Sequence, residues 1–263
     1  MGFLDFLKEK FFTSPAPDLV TPHTIADYRV FNKAETYLYS PNYCKYRVSL
    51  SGGEHLIRAN REGSSVVAFL HHGSRLLMNG VIHHQLGAVP VTSIASRRNL
   101  ELCSAEEKAF WLGVHQRSAQ SCNAPVIFYT DESPRGALRW LQTRGNTLTV
   151  SLDVREPGYP KMEYPFEFMG ETIYLQTGAA KLALKAGAQF LPAAIEYDPI
   201  TQTHHMVIHP PVNASDEYLT TQAALTCLEP YLARTPEQSF YEIVQTLKTP
   251  QDPDFVDLKP GLV

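Results

Sequence analysis

Residues 64–74, SSVVAFLHHGS, decide the fold that the sequence predicts. The stretch from Val66 to Leu70 is a short continuous apolar run, which is typical of a strand buried on both faces. Residues 75–86, RLLMNGVIHHQL, follow it with apolar side chains at helical spacing. A buried strand that leads directly into a helix indicates an α/β fold built on a parallel sheet.

The same alternation of strands and helices continues along the chain. Further strands are predicted at 88–96, 124–130, 146–154, 189–198 and 203–212, with helices at 25–38, 104–120, 137–145 and 177–188 and two more within 215–248. The last two strands are expected to pair antiparallel, and residues 164–175 to form a hairpin. The sequence therefore predicts an α/β fold with a mixed, mostly parallel central sheet and helices on both faces.

The chain divides into three segments. Residues 25–248 are predicted to form a single α/β domain, and residues 249–263 an extended tail. Residues 1–24 combine the segment MGFLDFLKEKFF, whose apolar side chains share one helix face, with a proline-rich linker. That segment indicates either an amphipathic helix lying on a membrane or a helix packed on the protein's own core.

Composition disfavours several classes of protein. The 263 residues carry 23 Lys or Arg and 27 Asp or Glu, so the net charge is −4 and a nucleic-acid binder is not expected. The four cysteines lack Cys-x-x-Cys spacing, and the histidines lack a convincing further ligand, so no metal site is expected either. Neither a membrane-spanning run nor a signal peptide is recognisable. We therefore expect a cytoplasmic protein, with peripheral contact to the inner face of the cytoplasmic membrane left open.

The segment from His71 to Ser74 is the sharpest candidate site. It lies where a strand ends and a helix begins, and ligands of open α/β sheets bind at the carboxyl ends of strands. An imidazole from His71 or His72 could take a proton from a hydroxyl or an amine. The N–H groups after Gly73 could hold an oxyanion or phosphate, and Ser74 could donate to a ligand or cap the next helix. Alternatively, the two histidines only terminate the strand.

Carboxylates at other strand ends could assist the histidine. Asp153 follows the strand at 146–154, so it is expected at the same edge of the sheet as His71. Asp131 and Glu132 follow another strand and would share that edge. Each of these acids could instead be an ordinary turn or loop residue.

Basic residues are also predicted to converge on the carboxyl edge of the sheet. The candidates for binding a phosphate are Arg75, Arg97, Arg98 and Arg135. Guanidinium groups bind phosphates in a bidentate manner, although each arginine by itself could be a solvated surface residue. Lys181 and Lys185 lie one turn apart on a predicted helix and are expected on a solvated face.

The order of these motifs resembles the glycerolipid acyltransferase superfamily, particularly its bacterial late lipid A acyltransferase branch. LHHGS at 70–74 is similar to the family's histidine, glycine and small polar residue at the end of a buried strand, and VPVTSIASRRN at 89–99 to its next strand. The segments at 133–154 and 164–195 resemble the later blocks of the family. Together these blocks cover about residues 61–212, more than half of the chain.

The resemblance implies an acyltransferase without a bound cofactor. The donor would be an acyl thioester, carried on the phosphopantetheine of an acyl or peptidyl carrier protein or on coenzyme A, and the acceptor a hydroxyl or amine of a lipid or small molecule. The family's histidine deprotonates the acceptor. His71 matches the position of this histidine in the lipid A branch, and His72 matches its position in the glycerolipid branch. Both are therefore candidates for the general base. Arg97 with Arg98 would then hold phosphate.

The sequence departs from the family pattern in its acid. The family has a carboxylate five positions after the histidine, but Leu76 and Leu77 stand five after His71 and His72. Either another carboxylate such as Asp153 substitutes, or the reaction needs less help. The lipid A glycyltransferases also lack the acid, so an aminoacyl transferase that uses a carrier-protein thioester is one alternative. A non-catalytic lipid- or carrier-binding protein that lost the acid is another.

Overall fold

The computed structural model describes residues 47–96, 100–101, 103–129, 134–155, 163–212, 215–239 and 247–250. The N-terminal segment of residues 1–24 and the predicted helix at 25–38 lie outside these ranges, as does the tail beyond residue 250. Across the described ranges, no helix combines the length and the apolar character that a bilayer span requires.

From residue 65 onward, the described elements follow the predicted alternation of strands and helices. The strands are β1 (Val48–Ser51), β2 (Ser65–Phe69), β3 (Val91–Ser96), β4 (Ile127–Tyr129), β5 (Thr147–Ser151), β6 (Glu163–Phe168), β7 (Glu171–Gln176), β8 (Gln189–Asp198) and β9 (Thr203–Ile208). The α-helices are α1 (Gly53–Glu62), α2 (Met78–Gln85), α3 (Ala105–Ser121), α4 (Arg135–Leu141), α5 (Gly178–Ala186) and α6 (Glu217–Arg234). Short 3₁₀ turns at Arg75–Leu77 and Pro236–Gln238 precede α2 and follow α6.

Seven of these strands form one sheet in the order β1-β9-β8-β2-β5-β3-β4. Strands β8, β2, β5, β3 and β4 run parallel, whereas β9 is antiparallel to β8 and β1 is parallel to β9. Strands β6 and β7 form a separate antiparallel hairpin. The predicted mixed, mostly parallel sheet and the predicted hairpin are therefore confirmed.

Helices cover both faces of the sheet because the central strands are apolar on both sides. In β2, Val66 and Ala68 belong to one apolar core together with residues of α4, α5 and α6. The intervening Val67 belongs to a second core together with residues of α1 and α2. Successive side chains of a strand point to opposite faces, so the continuous apolar run in the sequence supplies both cores.

The pairing register of β2 and β5 positions the candidate site. The two strands are parallel neighbours, and Phe69 at the end of β2 pairs with Ser151 at the end of β5. His71 and Asp153 each lie two residues beyond that pair. The two strands therefore end at the same level of the sheet, which brings His71 and Asp153 together at its carboxyl edge.

The second helix predicted within 215–248 falls partly outside the described residues. Helix α6 ends at Arg234, after an N-terminus that Asp216 caps by accepting from the N–H of Leu219 at 2.8 Å. The 3₁₀ turn Pro236–Gln238 follows, and residues 240–246 lie outside the described ranges. That turn matters for the site because residues 235–239 pack against the end of β2.

Candidate active site

His71 and Asp153 form a hydrogen-bonded pair beyond the ends of β2 and β5. Nδ1 of His71 lies 2.6 Å from Oδ1 of Asp153. The main-chain N–H of His71 also donates to Oδ2 of Asp153 at 2.7 Å, so both carboxylate oxygens are held by one residue. Asp153 is buried, at 4% exposure. Asp153, two residues after the end of β5, thus lies against His71. It provides a carboxylate to a histidine that lacks one five positions later in the sequence.

Ser151 adds a third group to this pair. Its hydroxyl donates to Oδ1 of Asp153 at 2.5 Å and lies 2.8 Å from Nδ1 of His71. Burial alone would raise the pKa of Asp153, but the charge of His71 and the hydrogen bonds of His71 and Ser151 outweigh it, and the pKa lies below its usual value. An ionised carboxylate only accepts hydrogen bonds, so it favours the hydrogen on Nδ1 of His71. Nε2 is then the ring nitrogen that can take a proton.

His72 makes a different set of contacts. Its Nδ1 lies 2.9 Å from Oγ of Ser239, and its Nε2 lies 3.1 Å from Oγ1 of Thr235 and 3.8 Å from Oε1 of Glu196. The side chain is buried and ties the end of β2 to β8 and to the segment after α6. This placement favours His71 over His72 as a base and gives His72 the structural role that the sequence left as an alternative.

Gly73 and Ser74 hold the turn after the two histidines. The N–H of Gly73 donates to the carbonyl of Gln238 at 3.0 Å, so it is already used. The hydroxyl of Ser74, which is fully buried, lies 2.7 Å from Nδ1 of His204 and makes no cap to the following turn. Both residues are buried, and the predicted cap by Ser74 is corrected, whereas the predicted substrate contacts of Gly73 and Ser74 stay predictions.

A cavity of about 640 Å³ opens beside His71. Part of its wall is apolar, formed by Phe69, Ile94, Leu100, Trp111, Val114 and Leu182. The formally charged side chains among the described residues that line it are Arg75, Lys181 and Lys185, and no carboxylate is among them. In a chain of net charge −4, this concentration of positive charge favours a ligand with an anionic group.

The arginines predicted to bind phosphate lie in different environments. Arg75, in the turn before α2, lines the cavity, and its predicted phosphate contact stays a prediction. Arg135 is exposed at the start of α4, and its neighbour Pro134 lines the cavity instead. Arg97 and Arg98 lie outside the described residues, so their predicted phosphate contact stays a prediction.

The other acid candidates and the two lysines complete the comparison with the sequence. Asp131 and Glu132 lie outside the described residues. Lys181 and Lys185 line the cavity, and Lys185 is also exposed, so the predicted solvated face borders the cavity. Their spacing on α5 shows that they share a face but not what that face contacts. The Thr-Gly at the start of α5, which the family resemblance includes, was the signal that could have drawn attention to this helix.

Acid is expected to destabilise the fold through His204. Burial, with a smaller contribution from the charge of His205, lowers the pKa of His204 from 6.5 to about 3. The unfolded chain therefore binds more protons than the folded protein between these two values. The stability of the fold is therefore unaffected by the titration of His204 above pH 6.5. It decreases as the pH falls from 6.5 toward 3, because the buried imidazole resists protonation. Between about pH 7 and 5 we expect a loss of about 2 kcal/mol.

Urea unfolding at about pH 7 and about pH 5 measures this loss. His204→Asn should lose less stability on acidification than the wild type, because its side chain does not titrate in this range. His205→Asn is the matched control, since His205 is the exposed neighbour on the same strand. Equal losses in the wild type and His204→Asn would contradict the assignment.

Comparisons with known proteins bear on the family of the chain. Residues 144–249 match the model of the bacterial lipid A biosynthesis acyltransferase family, a range that includes Asp153 but not His71. A "Lipid A biosynthesis acyltransferase" of Haemophilus influenzae is 24% identical over 230 residues, which cover 85% of this chain and 66% of that protein. The match thus spans slightly less than two thirds of the length of that relative.

A solved structure is also similar to this chain. It is the 1-acyl-sn-glycerophosphate (LPA) acyltransferase PlsC from Thermotoga maritima, with a TM-score of 0.44, 16% identity and coverage of 88% of each chain. That similarity is too low to support a conclusion about either fold or function. The family match over residues 144–249 and the similar curated protein bear on the resemblance. They confirm the resemblance that the motifs predict: this chain is similar to the glycerolipid acyltransferase superfamily, and particularly to its lipid A branch.

Proposed function

We propose that this chain transfers an acyl group from a thioester to a hydroxyl or amine of a lipid or small-molecule acceptor. The observation that carries the proposal is the pairing of His71 with Asp153 beside a cavity with an apolar wall. The thioester would be carried by the phosphopantetheine of an acyl or peptidyl carrier protein or by coenzyme A. The similarity to the lipid A acyltransferase family supports the class of reaction but leaves donor and acceptor open.

The proposed step is a direct transfer between the two substrates. Nε2 of His71 takes the proton of the acceptor while the acceptor atom attacks the thioester carbonyl carbon. The carbon–sulfur bond breaks, and the proton passes to the departing thiolate, which leaves as a thiol. Asp153 remains ionised, holds the imidazole in its tautomer and stabilises the imidazolium. No acyl-enzyme is required, because binding both substrates side by side supplies much of the rate.

The positively charged residues that line the cavity favour a substrate that carries an anionic group. Arg75, Lys181 and Lys185 supply three positive charges beside His71. A phosphate of the phosphopantetheine arm or of the acceptor would bind to these charges. The predicted partners Arg97 and Arg98 follow β3, the strand next to β5 in the sheet, and would reinforce this charge.

Asp153 weakens the reasoning behind both alternatives from the sequence. The aminoacyl transferase and the non-catalytic binder were each suggested by an acid absent from the motif. A buried carboxylate 2.6 Å from Nδ1 of His71 can take over its orienting role. Acyl transfer with an ordinary base is therefore the function that the geometry favours.

Thioester turnover with carrier-protein and coenzyme A donors, with and without lipid acceptors, tests the proposal. We expect His71→Ala to reduce turnover by about a thousandfold or more, because the base is removed. His84→Ala is the matched control, since His84 is an exposed histidine on α2. Turnover of His71→Ala that equals this control would refute the proposal.

A further inference from the structure

A ring of polar side chains forms part of the cavity wall. Asn79 of α2, Ser93 of β3 and Thr149 of β5 all line the cavity. Nδ2 of Asn79 donates to Oγ of Ser93 at 2.8 Å, Oγ of Ser93 lies 2.7 Å from Oγ1 of Thr149, and Thr149 donates to Oδ1 of Asn79 at 2.8 Å. Asn79 and Thr149 are almost fully buried, at 3% and 1% exposure. These polar groups thus line one part of a cavity that also has an apolar wall.

The three bonds leave part of the hydrogen-bonding capacity of the ring unused. Thr149 has one hydroxyl hydrogen, so when it donates to Asn79, Ser93 must donate to Thr149. The second N–H of Asn79 takes no part in the ring, and the oxygen of Ser93 keeps an acceptor lone pair. A hydrocarbon chain against this wall would remove water from these groups without replacing its hydrogen bonds, which is unfavourable. A ligand with its own hydroxyl could both donate and accept there.

The ring lies close to the candidate base. Thr149 and Ser151 are two residues apart on β5, so their side chains share one face at a separation of about 7 Å along the strand. Ser151 is within 2.8 Å of Nδ1 of His71. A group bonded to the ring therefore lies within a few covalent bonds of a carbonyl carbon positioned at His71.

The positive charges that line the cavity favour a hydroxyl over an amine on the part of the ligand that contacts the ring. An aminoacyl group carries a protonated amine, and the cavity already holds Arg75, Lys181 and Lys185 with no lining carboxylate among the described residues. Like charges in a partly closed site are unfavourable, so a neutral hydroxyl fits better. We propose that the transferred group is a hydroxyacyl chain whose hydroxyl, near the thioester carbonyl, bonds to the ring of Asn79, Ser93 and Thr149. This inference rests on the proposed transferase function.

The test compares β-hydroxyacyl thioesters with unsubstituted acyl thioesters of equal chain length. We expect kcat/KM to be about tenfold higher for the hydroxyacyl donor, the effect of one or two well-formed hydrogen bonds. Thr149→Val removes the ring hydroxyl at constant shape and should bring this ratio close to one. Thr149→Ser keeps a hydroxyl and should preserve the preference.

Thr147→Val is the matched control for Thr149→Val. Thr147 lies two residues earlier on the same strand, is fully buried, and bonds to Asn60 and Ser65 rather than lining the cavity. Its loss should affect stability in a similar way but leave the donor ratio unchanged. The inference would be overturned if the wild type and Thr149→Val showed the same ratio of kcat/KM between the two donors. It would also be overturned if Thr147→Val lost the preference for the hydroxyacyl donor.

A binding measurement separates failure of the inference from failure of the proposed function. Calorimetric titration with free β-hydroxy and unsubstituted fatty acids needs no turnover. If no thioester turns over but the hydroxy acid binds about tenfold more tightly in a Thr149-dependent manner, the ring preference stands and the transferase proposal fails. If transfer proceeds and His71→Ala abolishes it, but neither assay favours the hydroxyl, the ring inference alone is refuted.

Discussion

Asp153→Asn is expected to reduce acyl-transfer turnover by about three to four orders of magnitude. The carboxylate accepts from Nδ1 and from the main-chain N–H of His71 and from the hydroxyl of Ser151. An amide has one oxygen in place of two, and its NH₂ group would face one of these donors. The imidazole would then turn or adopt the opposite tautomer, with its basic nitrogen directed at the amide instead of at the acceptor.

Turnover under saturating donor, together with thermal unfolding, measures the effect of Asp153→Asn. Glu54→Gln, which neutralises an exposed carboxylate on α1, serves as the control for the loss of one negative charge. We expect the control to match the wild type in both readouts. Near wild-type turnover of a folded Asp153→Asn protein would show that the carboxylate does not orient the base.

Gly73→Ala is expected to destabilise the folded protein by more than about 4 kcal/mol. Gly73 has a φ of +56°, which disfavours a side chain, but its surroundings matter more. A Cβ atom there would lie 1.7 Å from the carbonyl oxygen of Ile195 and 2.8 Å from the carbonyl carbon. Both contacts are with the main chain of β8, which is held in the centre of the sheet and cannot move aside locally. The turn that carries His71 would therefore be displaced.

Gly187→Ala distinguishes the contact from the backbone conformation. Gly187 ends α5 with a φ of +65°, and an added Cβ would meet nothing within 4 Å. Urea unfolding should show a cost of about 1 to 2 kcal/mol for Gly187→Ala, from the conformation alone. A similar cost for Gly73→Ala would mean that β8 yields, and the close approach would not explain the glycine in the motif.

The order of elements was readable from the sequence because the apolar patterns are strong. The buried run at Val66 to Leu70 and the alternating residues of β5 gave both strands, and parallel strands share a carboxyl edge. His71 and Asp153 were therefore expected at one edge. That they lie side by side depends on β2 neighbouring β5 rather than β3. Strand order arises from long-range packing, which local pattern does not encode.

The choice between adjacent histidines shows another limit of the sequence. His71 and His72 are consecutive, so their side chains diverge, and the sequence does not reveal which side holds the cavity. The structure decides through contacts far along the chain, since Thr235 and Ser239 surround His72. Lys185 shows a similar limit: its helical spacing predicts an exposed face, which the structure confirms, but not that this face borders the cavity.

A double-mutant cycle on His71 and Asp153 tests the central claim most directly. Thioester turnover is measured for the wild type, His71→Ala, Asp153→Ala and the double variant, with unfolding curves to confirm that each is folded. If Asp153 acts through His71, the double variant should be no slower than His71→Ala, because residues that act as a unit are strongly non-additive. Losses that multiply would contradict the account, since Asp153 and His71 would then act independently.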